Sequence, residues 1–121
     1  TICGAFTYGM STTALSKVCE IKDSDNTEMM WVYFKETGLF SISQLKNIPK
    51  EYLRKDIRMT LDYPDDLIFF ETIINNFGKK YFNLKDIVNL IDKKPEIGKI
   101  NLYLEEEWKK NQESKIELKI K

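Results

Sequence analysis

The sequence predicts an α/β fold in which helices dominate the second half of the chain. Two short segments, 2–8 and 57–62, are rich in apolar, β-branched and aromatic residues and are typical of strands. From Pro64 onward, apolar residues recur at spacings of three and four, the period of a helix packed on one face. The long connection between the two strands leaves room for parallel pairing. With 121 residues, the chain is long enough for one domain, so we expect a single domain over 1–121.

In the first half, residues 2–8 (ICGAFTY) are predicted to form a strand that ends at a turn at Gly9. Ser11 is placed to cap a helix over 12–20. The block MMWVYF at 29–34 is apolar on every side, so it is either a deeply buried helix or a strand.

The middle of the chain combines an irregular connection with a second strand. Residues 39–56 lack a clean period, and Pro49 favours a surface connection with a short helical turn after it. In 57–62 (IRMTLD), apolar and polar residues alternate, which predicts a strand with one buried face.

Three helices are predicted in the second half. The first begins at Pro64, ends at Gly78, and is expected to bury a stripe of four residues. The second follows a capping box of Asn83 and Asp86 and stops at Pro95. The stripe consists of Leu67, Phe70, Ile74 and Phe77.

The third helix is predicted over 97–111 and buries Trp108 on its apolar side. The tail 115–121 (KIELKIK) alternates with period two and is expected to add a lysine-rich edge strand. Trp31 and Trp108 lie on apolar stripes, so we expect both in the core or at an interface.

The composition excludes several function classes. The 19 basic residues balance the 19 acidic ones, so we expect no nucleic-acid partner. No uninterrupted apolar run approaches the roughly 18 residues of a membrane helix, and we expect no membrane partner. The chain has no histidine, which excludes hydrolases with a histidine-containing triad and zinc enzymes with histidine ligands. Carboxylates, lysines, arginines and backbone groups must therefore supply any chemistry.

Cys3 and Cys19 are too few and too far apart for a metal knuckle or a disulfide framework. They are predicted to be reduced core thiols of a cytoplasmic protein. The sequence opens at Thr1 with a segment typical of the middle of a fold, so we expect an excised piece of a longer protein.

Acidic residues concentrate where the second strand meets the first long helix. Residues 61–92 hold 6 acidic and 3 basic side chains, and half of these acids lie in TLDYPDDL. Asp66 is expected to reach back to the helix-capping amide, and Asp65 to lie against the positive end of the helix. Asp62 is left over at the carboxyl end of the strand, where α/β sheets present groups to ligands. A carboxylate there suits magnesium held jointly with phosphates; the alternative is a solvated aspartate.

Several segments carry a family resemblance. IRMTLDYPDDLIFF at 57–70 resembles the R-x-T-x-D-x-P-E-D segment of nucleotide-sugar cytidylyltransferases, which include CMP-sialic acid synthetases, KDO cytidylyltransferases and spore-coat polysaccharide biosynthesis proteins. FNLKDIVNLIDKKPEIGKIN at 82–101 is similar to the family's F-x-L-x-D-I-x-x-L, P-x-I and I-N ending. FTYGMSTTALSKV and TEMMWVYFKETGLF resemble its P-x-G, A-L and T-E segments. The resemblance implies the helix-rich C-terminal half of a Rossmann-like, three-layer nucleotide-diphospho-sugar transferase fold.

The resemblance also implies functional residues, although no catalytic residue is assigned. Asp62 matches the aspartate that binds magnesium between the CTP phosphates and the sugar acceptor. Arg58 matches an arginine near phosphate or sugar; a surface salt bridge is the alternative and the favoured interpretation. Gly9 and Glu28 are assigned to substrate binding, although electrostatics at a helix start also accounts for Glu28.

Two features depart from the family pattern. Tyr63 replaces the usual threonine, which removes a capping hydroxyl. The glycine- and basic-rich loop that holds the triphosphate has no counterpart, because the 5 glycines are scattered, and the pocket for the nucleotide base is also missing.

The sequence therefore leads to two hypotheses. The first is the C-terminal part of a cytidylyltransferase-like enzyme that activates a sugar or sugar acid with CTP for polysaccharide or glycan synthesis and is inactive alone. The second is a non-catalytic module kept for dimerisation, with MMWVYF at 29–34 and the helix around Trp108 forming the contact. A homodimer is expected in either case.

Overall fold

The structure, a computed structural model, describes residues 1–121 and is half helical, with almost no strand. None of its helices combines the length and the apolar character needed to cross a membrane. A short 3-10 helix covers Lys50–Tyr52, as Pro49 predicts. The α-helices are α1 (Thr12–Ile21), α2 (Trp31–Glu36), α3 (Pro64–Phe77), α4 (Leu84–Lys93), α5 (Pro95–Leu102) and α6 (Glu105–Glu113).

The predicted starts of α1, α3 and α4 are confirmed. The Ser11 hydroxyl accepts from the Ala14 amide at 3.1 Å and begins α1. Asn83 and Asp86 form the predicted capping box of α4, each side chain accepting from the other residue's amide, at 2.9 and 3.1 Å. Pro64 is the first residue of α3, and Gly78, at a φ of 62°, ends that helix.

Strand ladders do not form where they were predicted. The segments 2–8 and 57–62 share one isolated parallel bridge, between Cys3 and Arg58. The chain turns at Gly4, whose φ is 79°, so the first segment leaves its partner after a single pair. The tail likewise makes one antiparallel bridge, from Ile120 to Lys22.

The structure settles one open helical prediction and corrects two others. The apolar block at 29–34 is helical from Trp31, which begins α2. Pro95 stops α4, but it is also the first residue of α5, a position where proline's fixed φ is favourable. The single helix predicted over 97–111 is two helices, separated at Tyr103 and Leu104.

The buried face of α3 also differs from the prediction. Phe69 and Ile73 are buried, whereas Leu67 and Ile74, placed on the predicted stripe, are each 51% exposed. Apolar residues lie on more than one side of α3, so periodicity alone does not choose between them. The buried position of Asp66, three residues before Phe69, accompanies this rotation of the helix.

The chain divides into two compact units. The first unit comprises Thr1–Thr7 and Asn47–Glu106. Its helices α3, α4 and α5 pack around an apolar core closed by residues from the two extended segments. The buried core residues of this unit are Ile2, Ile57, Phe69, Ile73, Ile87, Val88, Ile91 and Ile97.

The second unit comprises Tyr8–Lys46 and Glu107–Lys121. Val18, Val32 and Tyr33 form its small core. The tail is attached there, because the Tyr33 hydroxyl donates to the Lys119 carbonyl at 3.1 Å. Cys19 in α1 is exposed and Cys3 of the first unit is half-buried, so the prediction of two core thiols is wrong. A cysteine on a short amphipathic helix can face either side, and α1 buries only Val18.

Candidate functional site

The polar centre of the first unit is a buried ion pair between Arg58 and Asp66. Arg58 Nε donates to Asp66 Oδ1 at 3.0 Å, and Arg58 Nη2 donates to Asp66 Oδ2 at 3.1 Å. Both side chains have no exposed surface. Two parallel bonds between a planar guanidinium and a carboxylate are the strongest common geometry for such a pair.

Asp66 also fixes the backbone that leads into α3. Its Oδ2 accepts from the amide of Asp62 at 2.9 Å and from the amide of Tyr63 at 3.1 Å. The second bond is the predicted reach-back to the capping residue, and the first goes beyond it. Tyr63 has extended backbone and makes no side-chain capping bond; its ring lies 5.7 Å from the Arg58 guanidinium carbon. The ring therefore takes a different place from that of a capping hydroxyl.

Asn101, on α5, completes this cluster. Its Nδ2 donates to Asp66 Oδ1 at 2.8 Å and to the Arg58 carbonyl at 3.2 Å. Asn101 is fully buried, and its own Oδ1 accepts no hydrogen bond. We name Arg58, Asp66 and Asn101 the Asp66 cluster. Asn101 was not predicted as a functional residue, although it is the last residue of the similar segment at 82–101.

The cluster keeps both charges at neutral pH. Burial raises the pKa of Asp66, but the hydrogen bonds from Arg58, the Asp62 and Tyr63 amides and Asn101 outweigh it, so the pKa lies below its usual value. Burial lowers the pKa of Arg58, and Asp66 and Glu105 more than compensate, so that pKa is raised. The buried pair is therefore a salt bridge rather than two neutral groups.

Asp62 lies at the exposed margin of this cluster. Its Oδ2 is 3.5 Å from Arg58 Nη2, and its side chain is 45% exposed. Arg58 Nη1 donates to Glu105 Oε2 at 3.4 Å. Three carboxylates, those of Asp62, Asp66 and Glu105, thus contact one guanidinium.

The site fits a shared magnesium ion and does not fit a metal held by protein alone. No group of three or more acidic, cysteine or histidine residues is arranged to hold an ion. Magnesium in nucleotide sites needs only one or two carboxylates, because substrate phosphates and water supply the other ligands. The Asp62 carboxylate, which is exposed to solvent, meets that requirement.

Arg58 is placed differently from either interpretation of the sequence. Its side chain has no exposed surface, and Nε, Nη1 and Nη2 all donate to carboxylates of this chain. The salt bridge exists, but it is internal rather than at the surface. In this conformation Arg58 has no surface with which to touch a substrate.

Asp65, the third acid of the segment, lies at the start of α3 as predicted. It accepts a hydrogen bond from the hydroxyl of Tyr103, just after α5. It therefore has a partner of its own, distinct from the Asp66 cluster.

Gly9 and Glu28, the other predicted site residues, belong to the second unit. Gly9 has no atom within 4 Å of the position that a Cβ would take. Glu28 Oε2 lies 3.2 Å from Lys115 Nζ, and the Glu28 amide donates to Asn26 Oδ1 at 2.8 Å. These contacts are those of a surface turn.

Of the four predicted site residues, the structure thus brings Arg58 and Asp62 together at the start of α3. Asp66, Asn101 and Glu105 join them from three helices. Comparison with protein-family models, curated proteins and solved structures finds no match to this chain.

Proposed function

We propose that this chain acts as the C-terminal part of a cytidylyltransferase-like enzyme that activates a sugar or sugar acid with CTP. The observation that carries the proposal is the exposed carboxylate of Asp62, held at the start of α3 beside a fully paired, buried arginine. In the reaction, a hydroxyl oxygen of a sugar acid, which gives its proton to water, or a phosphate oxygen of a sugar phosphate attacks the α-phosphorus of CTP. The bond to the β-phosphate oxygen breaks, and pyrophosphate leaves.

In this proposal, Asp62 would be a ligand of the magnesium ion that the reaction requires. Magnesium supplies positive charge that stabilises the charge on phosphate oxygens in the transition state. This chain contributes one carboxylate to that site, the side chain of Asp62, and holds it in place. Arg58 is assigned no contact with substrate, because it is buried and bonded to Asp66 and Glu105.

The finer fold, a Rossmann-like three-layer arrangement, is part of the same proposal. It is supported by the single parallel bridge between Cys3 and Arg58, since parallel pairs occur mostly in sheets covered by helices. A cytoplasmic location also belongs to the proposal, and it is supported by Cys3 and Cys19, neither of which is in a disulfide.

The chain alone is expected to have no transferase activity. Its sequence contains no glycine-rich loop to hold a triphosphate, and Gly4, Gly9, Gly38, Gly78 and Gly98 are scattered. The sequence of the natural gene product is the first check, because the proposal requires a phosphate-binding loop pattern outside this chain.

The experiment is an assay of pyrophosphate release by the natural gene product that contains this chain. CTP and magnesium are supplied with a panel of sugar acids and sugar phosphates, and Asp62→Asn is compared with Asp65→Asn. We expect Asp62→Asn to lose about a hundredfold or more in rate, typical of removing one group that stabilises transition-state charge. Asp65→Asn makes the same substitution at a neighbouring aspartate of the same helix start and should retain activity. Absence of CTP-dependent release with every acceptor, or equal rates for Asp62→Asn and wild type, would refute the proposal.

A second candidate function is a non-catalytic module that forms a homodimer. The segment 29–34 is a poor contact surface, because Val32 and Tyr33 lie in the core of the second unit. The observation that favours self-association is instead on α3, where Leu67, Ile68 and Ile74 are about half exposed. Sedimentation equilibrium of the gene product and its Leu67→Ser, Ile74→Ser variant tests this: the module hypothesis predicts a dimer that the variant weakens, without any CTP-dependent activity.

A further inference from the structure

We propose that Asp66, together with Arg58, is a positioning residue that fixes the direction in which the carboxylate of Asp62 points. The cation ligand role of Asp62 rests on the proposed function. The geometric part of the inference rests only on the contacts of the Asp66 cluster and is tested separately.

The hydrogen bonds of Asp66 bracket the α-carbon of Asp62. The amide of Asp62 precedes that carbon and the amide of Tyr63 follows it, and both donate to Asp66 Oδ2, at 2.9 and 3.1 Å. The peptide planes on both sides of Asp62 are therefore held by one oxygen atom. With both planes fixed, the direction of the Cα–Cβ bond of Asp62 is fixed as well.

The oxygen that holds these amides is itself held from several directions. Arg58 binds both carboxylate oxygens of Asp66, and Asn101 Nδ2 donates to Oδ1 at 2.8 Å. All three side chains are fully buried. Asp66 is fully buried and accepts hydrogen bonds from five donor atoms, so any other rotamer would break several of these bonds.

The capping box of α4 shows which of these parts a helix start requires. There, Asp86 accepts the amide of Asn83 at 2.9 Å at an exposed site. No hydrogen bond or ion pair to an arginine accompanies that box, although α4 begins as regularly as α3. Starting a helix therefore does not explain the buried Arg58 or the second amide bond at α3. Burying an ion pair costs desolvation energy that often exceeds its attraction, so stability is also a weak explanation.

Arg58 holds Asp62 at a second point. Its Nη2 lies 3.5 Å from Asp62 Oδ2, so the guanidinium touches the carboxylate that Asp66 orients through the backbone. The Asp62 side chain nonetheless remains 45% exposed. This arrangement orients the Asp62 carboxylate in a defined direction while leaving it accessible to solvent.

The geometric test is amide hydrogen exchange, measured by NMR on the natural gene product labelled with ¹⁵N-aspartate and ¹⁵N-tyrosine. We expect Asp66→Asn to accelerate exchange of the Asp62 and Tyr63 amides at least tenfold, and Asp65→Asn to leave both rates unchanged. Unchanged rates in Asp66→Asn would overturn the inference.

The functional test is binding of Mn²⁺ in the presence of CTP, measured by titration calorimetry. Residues that orient a metal ligand typically change metal affinity about 10- to 100-fold, and we expect a loss in that range for Asp66→Asn. In an Asp62→Asn background, Asp66→Asn should cause no further loss. An equal loss in both backgrounds would show that Asp66 does not act through Asp62 and would overturn the inference.

Two further outcomes separate this inference from the proposed function. If the wild-type gene product with CTP does not bind Mn²⁺ while the amide exchange changes as expected, the proposed function fails and the orientation of Asp62 by Asp66 stands. If Asp66→Asn does not fold, Arg58→Met with Asp66→Leu replaces it, because removing both charges leaves no unpaired ion in the interior. This double variant should show the same faster exchange and the same loss of Mn²⁺ affinity; wild-type values would overturn the inference.

Discussion

Arg58 and Asp66 form a two-bond ion pair with no solvent-exposed surface, although the first lies in an extended segment and the second in the first turn of α3. Asn101 of α5 donates to both residues. The pair therefore connects three parts of the first unit at one point. The backbone of Asp62 and Tyr63 is fixed at the same point, because their amides bond to Asp66.

Removing one partner of this pair should destabilise the protein strongly. For Arg58→Met we expect a loss of about 3–5 kcal/mol in the free energy of unfolding, because Asp66 is left charged and buried. Urea denaturation measures the change. Adding Asp66→Leu should recover a large part of the loss, while Asp65→Asn alone should stay within about 0.5 kcal/mol of wild type. A full-size loss in the double variant would contradict the role of the unpaired charge.

Acid should weaken the fold through Asp66. Burial alone raises the pKa of Asp66, but its hydrogen-bond donors lower that pKa by more. The folded-state pKa of Asp66 therefore lies below its value in the unfolded chain, which is about 3.9. The folded state thus binds fewer protons, and the stabilisation is fully present above about pH 4 and lost as the pH falls through the folded pKa. The urea midpoint of wild type should fall more steeply between about pH 4 and pH 2 than that of Arg58→Met, Asp66→Leu. Parallel curves would show that Asp66 does not contribute.

Gly4 should not tolerate a side chain. A Cβ there would clash with the carbonyl group of Met59, and the φ of 79° is strained for any other residue. Gly4→Ala should therefore lower the thermal midpoint measured by circular dichroism. Gly9→Ala is the matched control, because nothing lies within 4 Å of its Cβ position. Equal midpoints for the two variants would contradict the close approach of the segments around Cys3 and Arg58.

The buried face of α3 can be tested by comparing two truncations. Phe69 is fully buried, so Phe69→Ala should cost about 3–5 kcal/mol of unfolding free energy. Leu67 is 51% exposed, so Leu67→Ala should cost less than about 1 kcal/mol. Chemical denaturation of both variants measures the two losses in unfolding free energy. A larger loss for Leu67→Ala than for Phe69→Ala would contradict the observed buried face and support the stripe predicted from spacing.

The starts of α1, α3 and α4 and the end of α3 could be predicted from the sequence because local chemistry decides them. Ser11, Asn83 with Asp86, and Pro64 with Gly78 act within a few residues of their own position. The break between α5 and α6 and the rotation of α3 depend on packing between distant segments. Strand formation depends in the same way on partners far along the chain. In the first unit, the Cys3–Arg58 bridge is the only such pairing that forms.

The candidate site was predictable in part for the same reason. Asp62 and the reach-back of Asp66 follow from their places around Pro64. The burial of Arg58 was not predictable, because an arginine in an alternating segment is expected to face solvent. Asn101 lies 35 residues from Asp66, so no local pattern connects them.

The position of the metal ion relative to Asp62 tests the proposed function most directly. Crystals of the natural gene product grown with CTP and Mn²⁺ would reveal the ion by its anomalous scattering. We predict a Mn²⁺ ion bonded to an Asp62 carboxylate oxygen and to CTP phosphate oxygens, with Asp66 still bonded to Arg58 and to the Asp62 and Tyr63 amides. A metal ion bound to CTP by other carboxylates, with Asp62 paired only to Arg58, would contradict the proposal.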